Sequence, residues 1–410
     1  MPRIARETGF GLLLVAVLLA GLNMRAMLTA MGPVLGDIRA SLGLSPSAAG
    51  LMVALPTMYF GLFGLFAPRL LRMFSMRRVI VGSLVVVALG VGLRSVLGIF
   101  GMHAGLLVAS AGISVGMVLV PVVVKNAFPQ RISLVMSLYT MAFCLGASLG
   151  AGLVVPMAHL PNSSWQWALA FWVLPALGAA AVWRAVPQAS LEMRSVPGET
   201  IAPPKGLFRD PLAWQVTLYM GLQSCIGQSL IGWLPVILIN RGLPPAESGA
   251  VMSVALLAQL GTNLAAPWLA MRGRDQRAAI TLMIWMVAIG TLAIFYAPLS
   301  WIWPCAIVLG LGMGGTFSIA VSLLVLRSRS SRDATALSGM AQGVGYTVAS
   351  IGPVLVGILY EFTGTWNAVA VMLAGLCIAT WVMGMKAGRN GVVLAGTTDS
   401  PIQFSQHTSR

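Results

Sequence analysis

Charged residues are scarce in this chain of 410 residues: Asp, Glu, Lys and Arg together make up 9%, and ten of these residues are acidic. Soluble globular domains carry about 25% charged residues, so the composition excludes a soluble domain. Hydrophobic residues make up 58% of the chain, and its mean hydropathy is +0.89. The composition therefore predicts a protein that crosses a lipid bilayer many times.

Histidine and cysteine are also rare, with three and four copies respectively. The four cysteines fall inside apolar runs, without the spacing of metal ligands: Cys144, Cys225, Cys305 and Cys377. We interpret them as packing residues and expect no disulfide framework, metal site or cofactor. A membrane enzyme lacks support as well, because no nucleophile, base and orienting group are visible together.

The formal net charge of +15 would suggest a nucleic-acid partner in a soluble chain. No interleaving of aromatic and basic residues accompanies this charge, so we expect no nucleic-acid binding. Membrane proteins instead gather Lys and Arg in cytoplasmic loops. Such residues cluster here in alternate loops and predict cytoplasmic termini: Arg69, Arg72, Arg77 and Arg78; Lys125 and Arg131; Arg272, Arg274 and Arg277; Arg327, Arg329 and Arg332.

Long apolar runs divide the chain into predicted membrane spans. About 20 apolar residues cross a hydrocarbon core of about 30 Å. A window of that length predicts twelve spans, at residues 10–31, 47–68, 78–98, 104–124, 133–156, 166–186, 213–239, 247–270, 278–297, 301–326, 335–359 and 366–385. The even number agrees with both termini on one side of the membrane.

The two halves of the chain resemble each other. Leu65-Phe66-Ala67-Pro68 at the end of span two recurs as Leu264-Ala265-Ala266-Pro267 at the end of span eight, and both are followed by a basic turn. This repeat resembles the plan of the major facilitator superfamily, which implies an all-α membrane protein with twelve transmembrane helices in two six-helix repeats. We predict an N-terminal bundle at 1–186, a cytoplasmic linker at 187–212, a C-terminal bundle at 213–386 and a cytoplasmic tail at 387–410.

Four segments carry a narrower resemblance to a known family: Gly21-Leu22-Asn23-Met24-Arg25, Val122-Val123-Val124-Lys125, Ser229-Leu230-Ile231-Gly232-Trp233-Leu234-Pro235 and Gln342-Gly343-Val344-Gly345. Together they resemble the cyanate and 2-nitroimidazole transporter (CynX/NimT) family. The resemblance implies a carrier in the bacterial inner membrane for a small anionic or nitrogen-rich polar compound. The expected partners are a small-molecule substrate and the lipid bilayer, and we expect the carrier to function as a monomer.

Arg25 lies inside the apolar first span, and Arg94 lies near the end of the third. Holding a guanidinium at membrane depth costs about 3 kcal/mol on insertion scales unless it meets water, a partner or a ligand. No Asp or Glu occurs well inside a predicted span, so an unmatched Arg25 is a receptor for a negative group. Alternatively, Arg25 snorkels towards the outer interface, about 9 Å away along the helix. Arg94 is a secondary candidate, for which snorkelling or anchoring of the helix end is the favoured interpretation.

Polar residues spaced four apart mark single helix faces that could line a substrate path. The pairs are Arg25/Thr29, Tyr219/Gln223, Gln259/Asn263 and Gln342/Tyr346, and the remaining candidates are Asn23, Tyr59 and Tyr139. Hydrogen bonds between helices explain the polar pairs equally well. For Tyr59 and Tyr139, packing is the favoured alternative, although aromatic walls are common in ligand pockets.

These observations predict a transporter that works by alternating access, with Arg25 binding the negative group of its substrate. A broad drug efflux carrier is the alternative, disfavoured because no buried acid would attract cations. A channel is a further possibility, against which the repeat plan argues. A proton relay through an embedded carboxylate or histidine is disfavoured too. No Asp or Glu occurs well inside a span, and His103 and His159 lie near outer ends of spans.

Overall fold

The computed structural model describes residues 3–64, 66–128, 130–187, 206–272, 275–329 and 331–393. These residues form helices joined by short turns, and no strand occurs among them. The bilayer core offers no water to backbone N–H and C=O groups, so a spanning segment must pair these groups internally, as a helix does. The all-α prediction is confirmed.

The first half of the chain contributes nine helices to the described structure. They are α1 (Arg3–Thr29), α2 (Leu35–Leu42), α3 (Pro46–Gly64), α4 (Ala67–Met73), α5 (Met76–Val96), α6 (Gly98–Ala127), α7 (Ile132–Ala158), α8 (Trp165–Ala170) and α9 (Val173–Ala185). The helices α2 and α4, of eight and seven residues, are too short to cross a bilayer. The predicted sixth span is divided into α8 and α9, because the amides of Trp172 and Leu174 bond to the carbonyl three residues back.

The second half contributes six helices to the described structure. They are α10 (Pro211–Asn240), α11 (Pro245–Arg272), α12 (Arg277–Tyr296), α13 (Ile302–Leu326), α14 (Ser331–Thr363) and α15 (Trp366–Ala387). Within the described ranges, ten segments are long and apolar enough to span a membrane. The helices α3 and α11 follow the second and eighth predicted spans and complete the twelve transmembrane helices.

The two halves pack by the same plan. In the first half α1 packs against α7 and α9, while α5 packs against α6 and α9. In the second half α10 packs against α14 and α15, while α12 packs against α13 and α15. This correspondence is what two six-helix repeats require. The boundaries of the linker and tail stay a prediction, since 188–205 and 394–410 lie outside the described residues.

Glycine brings α1 and α7 into close contact. A Cβ at Gly146 would lie 2.0 Å from the carbonyl oxygen of Leu22, and one at Gly150 would lie 2.3 Å from that of Ala26. Small residues let backbones approach in this way inside membranes. This contact fixes the rotation of α1, the helix that carries Arg25.

The two bundles meet at the end of the protein opposite the start of α1 and the end of α15. Here α3 packs against α14, and α7 packs against α11. The hydroxyl of Ser253 donates to the carbonyl of Ser148 at 2.9 Å. At the tip of α14, the Glu361 carboxylate accepts a 2.9 Å bond from the backbone N–H of Ser47. We call this region the closed end.

Gly50 tests whether close packing holds the closed end together. A Cβ at this position would lie 2.4 Å from the carbonyl oxygen of Pro353 in α14. Overlap of this kind costs about 1 to 3 kcal/mol, which is about fivefold to 150-fold in a conformational equilibrium. We therefore expect Gly50→Val to open this end. The measurement is thiol cross-linking between Ser47→Cys and Glu361→Cys, read by mass spectrometry of the linked peptides, and its yield should fall.

The matched control is Gly178→Val in α9, where a Cβ would meet no atom within 4 Å. This variant should cross-link like the unmodified protein. Equal cross-linking yields for Gly50→Val and Gly178→Val would contradict the packing account of the closed end.

Candidate substrate-binding site

A central cavity of about 270 Å³ lies between the two bundles. Its walls come from α1, α3, α6 and α7 in the first half and from α10, α11, α13 and α14 in the second. These helices are the equivalent four of each repeat. A site shared equally by two repeats is where movement of one bundle against the other changes access.

Arg25 lines this cavity from α1, and its guanidinium carbon lies 5.2 Å from the centre of the Phe143 ring. No Asp or Glu lines the cavity, and Arg25 forms no ion pair with any described residue. The glycine contacts between α1 and α7 direct the Arg25 face of α1 inward. Because Arg25 shares the cavity with Gln223 and Asn263, the snorkelling alternative is wrong.

Two amides on one face of α11 contribute to the wall of the second half. Asn263 donates from Nδ2 to the Cys144 sulfur at 3.5 Å. Its Oδ1 atom and the Nε2 atom of Gln259 have no hydrogen-bond partner among the described residues. Buried polar groups without partners are costly, so the acceptor at Asn263 and the donor at Gln259 mark two unpaired positions on residues of the cavity wall.

Other predicted residues complete the walls. Gln223 lines the cavity but is engaged, since its Nε2 donates to Ser224 Oγ at 2.7 Å and to the carbonyl of Met220 at 3.1 Å. Tyr139 and Tyr346 line the cavity as well. Together with Phe60, Phe143 and Phe317 they give it several aromatic walls, which suit a planar ligand.

Asn23 and Tyr59 were predicted at the site and lie outside the cavity wall. Asn23 is buried within the first bundle, where its Nδ2 donates to the carbonyl of Leu19 at 2.8 Å. The Tyr59 ring lies 6.0 Å from that of Phe63, on a different face of α3 from the residues that line the cavity. Both positions are corrected to packing roles.

Tyr219 and Gln342 are also corrected. The Tyr219 side chain is fully buried between α10 and α13, and its hydroxyl donates to the carbonyl of Thr316 at 3.3 Å. Gln342 is exposed and donates to Ser338 one turn earlier in α14, at 2.9 Å. In each pair, the partner four residues away lines the cavity while this residue does not.

Thr29 and Arg94 line a smaller side pocket beside the cavity. The Thr29 hydroxyl donates to the carbonyl of Ala147 at 2.8 Å, so it mainly joins α1 to α7. The Arg94 side chain is 1% exposed and donates to the carbonyl of Met27 at 2.8 Å. Snorkelling of Arg94 is therefore wrong, because its guanidinium points into the protein.

Sequence reasoning missed several residues of the cavity wall, among them Thr57, Gln228 and Cys144. Thr57 and Gln228 line both the cavity and the side pocket, and Gln228 follows Ser224 by four residues, the spacing that identified other pairs. Cys144, interpreted from the sequence as packing, lines the cavity and accepts the Asn263 bond. Across the described ranges, no group of three His, Cys, Asp or Glu side chains is placed to hold a metal ion.

Curated relatives cover nearly the whole chain. The uncharacterized transporter YycB of Bacillus subtilis (strain 168) is 33% identical over 382 residues, which is 92% of this chain and 94% of that protein. The 2-nitroimidazole transporter of Escherichia coli (strain K12) is 32% identical, with 92% and 95% covered. The cyanate transport protein CynX of Escherichia coli (strain K12) is 32% identical, with 90% and 96% covered.

The fold agrees with these relatives. A crystal structure of the nucleoside transporter NupG matches with a TM-score of 0.73 at 14% identity, over 92% of this chain and 100% of that chain. The Major Facilitator Superfamily model matches residues 13–350. The chain is a transporter and not an enzyme: it belongs to the major facilitator superfamily and within it resembles the CynX/NimT transporters.

Proposed function

We propose that this transporter carries a small anionic or polar nitrogen-containing compound, with Arg25 binding its negative group. The observation that supports this proposal is a guanidinium in a membrane-depth cavity whose wall contains no carboxylate. Such a charge is stabilised best by a ligand that brings a negative charge of its own. The printed names of two relatives, for 2-nitroimidazole and cyanate transport, agree with that ligand class.

The size of the cavity suits a ligand with about one aromatic ring. Its volume of about 270 Å³ lies just below the range of about 300 to 1,000 Å³ typical of drug-sized ligands. A planar ligand can stack on Tyr139, Phe143 or Tyr346 while its negative group faces Arg25. The free Nε2 atom of Gln259 can then donate to a ring nitrogen or a nitro group, and the free Oδ1 atom of Asn263 can accept from an N–H or O–H group of the ligand.

Transport follows from rocking of the two bundles about this site. In the present conformation contacts between the bundles close the end near Ser47 and Glu361. Separating α3 from α14 and α7 from α11 would expose the cavity to that side instead.

We propose that the closed end faces away from the cytoplasm in a bacterial inner membrane, with both termini cytoplasmic, as the placement of basic residues predicts. One chain supplies every wall of the cavity, which favours a functional monomer.

Efflux of hydrophobic drugs is the second candidate function. The aromatic wall and the methionines Met117 and Met313 would accommodate apolar ligands of varied shape. Arg25 disfavours cationic drugs, because a like charge in a cavity of low dielectric constant repels them. The two candidates therefore differ in the sign of the charge that the site accepts.

Substitutions of Arg25 test whether its charge binds the ligand. Arg25→Ala should lose binding of anionic ligands, because a hydrogen bond to a charged group contributes about 1.5 to 3 kcal/mol, or about tenfold to a hundredfold in affinity. Arg25→Lys should rescue incompletely, since an ammonium lacks the planar fork. The measurement is ligand-dependent thermal stabilisation of purified protein with cyanate, 2-nitroimidazole, 4-hydroxybenzoate and a cationic dye.

Arg389→Ala is the control, because this arginine is exposed beyond the end of α15. It should bind all ligands as the unmodified protein does. Unchanged anion binding by Arg25→Ala would overturn the assignment, and stabilisation by the cationic dye without any response to anions would favour drug efflux.

The second prediction separates ligand orientation from ligand charge. Asn263→Ala should weaken binding of 4-hydroxybenzoate, whose phenol O–H can donate to the free Oδ1 atom, by about two- to tenfold, the cost of one neutral hydrogen bond of about 0.5 to 1.5 kcal/mol. Binding of a halide should change little, because a halide has no hydrogen to donate to the Oδ1 atom. Gln342→Ala, at an exposed position of α14, is the matched control and should leave both affinities unchanged. Equal losses in Asn263→Ala and Gln342→Ala would refute an orienting role for the α11 amide.

A further inference from the structure

The side pocket adjoins the central cavity on the side of the closed end. Arg25, Thr57, Phe60, Gln228 and Ile231 line both spaces, so Arg25 stands between them. Arg94 lines the side pocket but not the cavity. The two arginines thus face one small space from two different helices, α1 and α5.

Arg94 reaches this pocket because α5 and α6 approach closely. A Cβ at Gly90 would lie 2.3 Å from the amide nitrogen of Ala109, and one at Gly105 would lie 2.4 Å from that of Arg94. Glycine at these positions draws α5 inward. The Arg94 side chain is consequently 1% exposed, in a part of the bundle that brings no carboxylate to it.

Only part of the Arg94 guanidinium has a hydrogen-bond partner. Its Nη1 atom donates to the Met27 carbonyl at 2.8 Å, in the last turn of α1. Its Nε and Nη2 atoms are buried and have no hydrogen-bond partner among the described residues. These two atoms form one edge of the planar fork, the edge that binds an anion with two parallel N–H bonds.

We infer that the side pocket is a second anion subsite, in which a small inorganic anion binds the free edge of Arg94 and faces Arg25. This subsite rests on the proposed function for the role of Arg25, and it deepens that function by naming a second ligand class. The pocket volume of about 30 Å³ limits the occupant to a few atoms. A halide or a linear triatomic anion such as cyanate fits this limit, whereas an aromatic ring requires the larger cavity.

A purely structural role for Arg94 predicts a different pattern of variants. Capping the Met27 carbonyl takes one N–H group, which Arg94→Lys can supply. Binding an anion at two points takes the free Nε and Nη2 edge, which lysine lacks. Arg94→Lys therefore preserves the cap and removes the fork, and Arg94→Met removes both the charge and the fork while keeping an unbranched stem that reaches about as far as the arginine Nε atom.

The experiment is equilibrium binding of bromide and of cyanate to the full-length purified protein at constant ionic strength, with gluconate as the balancing anion. We expect saturable binding of either anion to the unmodified protein. We expect the Kd to rise at least about tenfold in Arg94→Lys and binding to be lost in Arg94→Met. Bromide and cyanate compete with each other if they share the subsite; cyanate that binds without displacement by bromide would overturn the shared site.

Binding of 2-nitroimidazole in the same preparations separates this subsite from the proposed function. The Arg94 variants should keep this binding, which also shows that they are folded, while Arg25→Ala should lose it. Unchanged bromide binding in Arg94→Met, or no saturable bromide binding to a protein that binds 2-nitroimidazole, would overturn the subsite alone. Bromide binding that depends on Arg94, without any binding of 2-nitroimidazole, would overturn the larger-ligand proposal and leave the subsite standing.

Discussion

The rest of this structure depends on one electrostatic constraint: a guanidinium at membrane depth must be given a water-accessible cavity or a negative partner. Arg25 receives the cavity, and no acidic side chain lines it. Glycine contacts with α7 fix the rotation of α1 that aims this charge inward. The packing of α1 therefore determines where this charge lies, and in the proposed function the ligand supplies the counter-charge.

The same constraint gives the two halves different tasks. In the proposed sites the first half supplies positive charge, through Arg25 and Arg94, while α11 of the second half supplies the uncharged donor of Gln259 and acceptor of Asn263. A ligand that contacts both halves is held across the surface along which they move. Its binding energy can then couple to the equilibrium between the two directions of access, to the extent that the two states bind it differently.

The fold was largely predictable, because span length and hydropathy follow from the bilayer itself, and the repeat follows from matching segments. Arg25, Gln259 and Asn263 were predicted because polar groups in apolar helices are costly, and all three line the cavity. Tyr219 and Gln342 were misplaced because a spacing of four defines a face of one helix and says nothing about which neighbour that face meets. The Arg94 side chain points into the protein because α5 approaches α6 closely at Gly90 and Gly105. This is a contact between separate helices, which the local sequence does not specify.

The central claim is that Arg25 recognises a negative charge on the ligand, and the ligand's own ionisation tests it most directly. Calorimetric titration of the purified protein with 2-nitroimidazole, across the pH range in which this compound loses its proton, measures affinity against ligand charge. The account predicts that affinity rises in proportion to the deprotonated fraction and that the 1-methyl derivative, which cannot lose that proton, binds far more weakly. Equal affinity for the two compounds at every pH would contradict it.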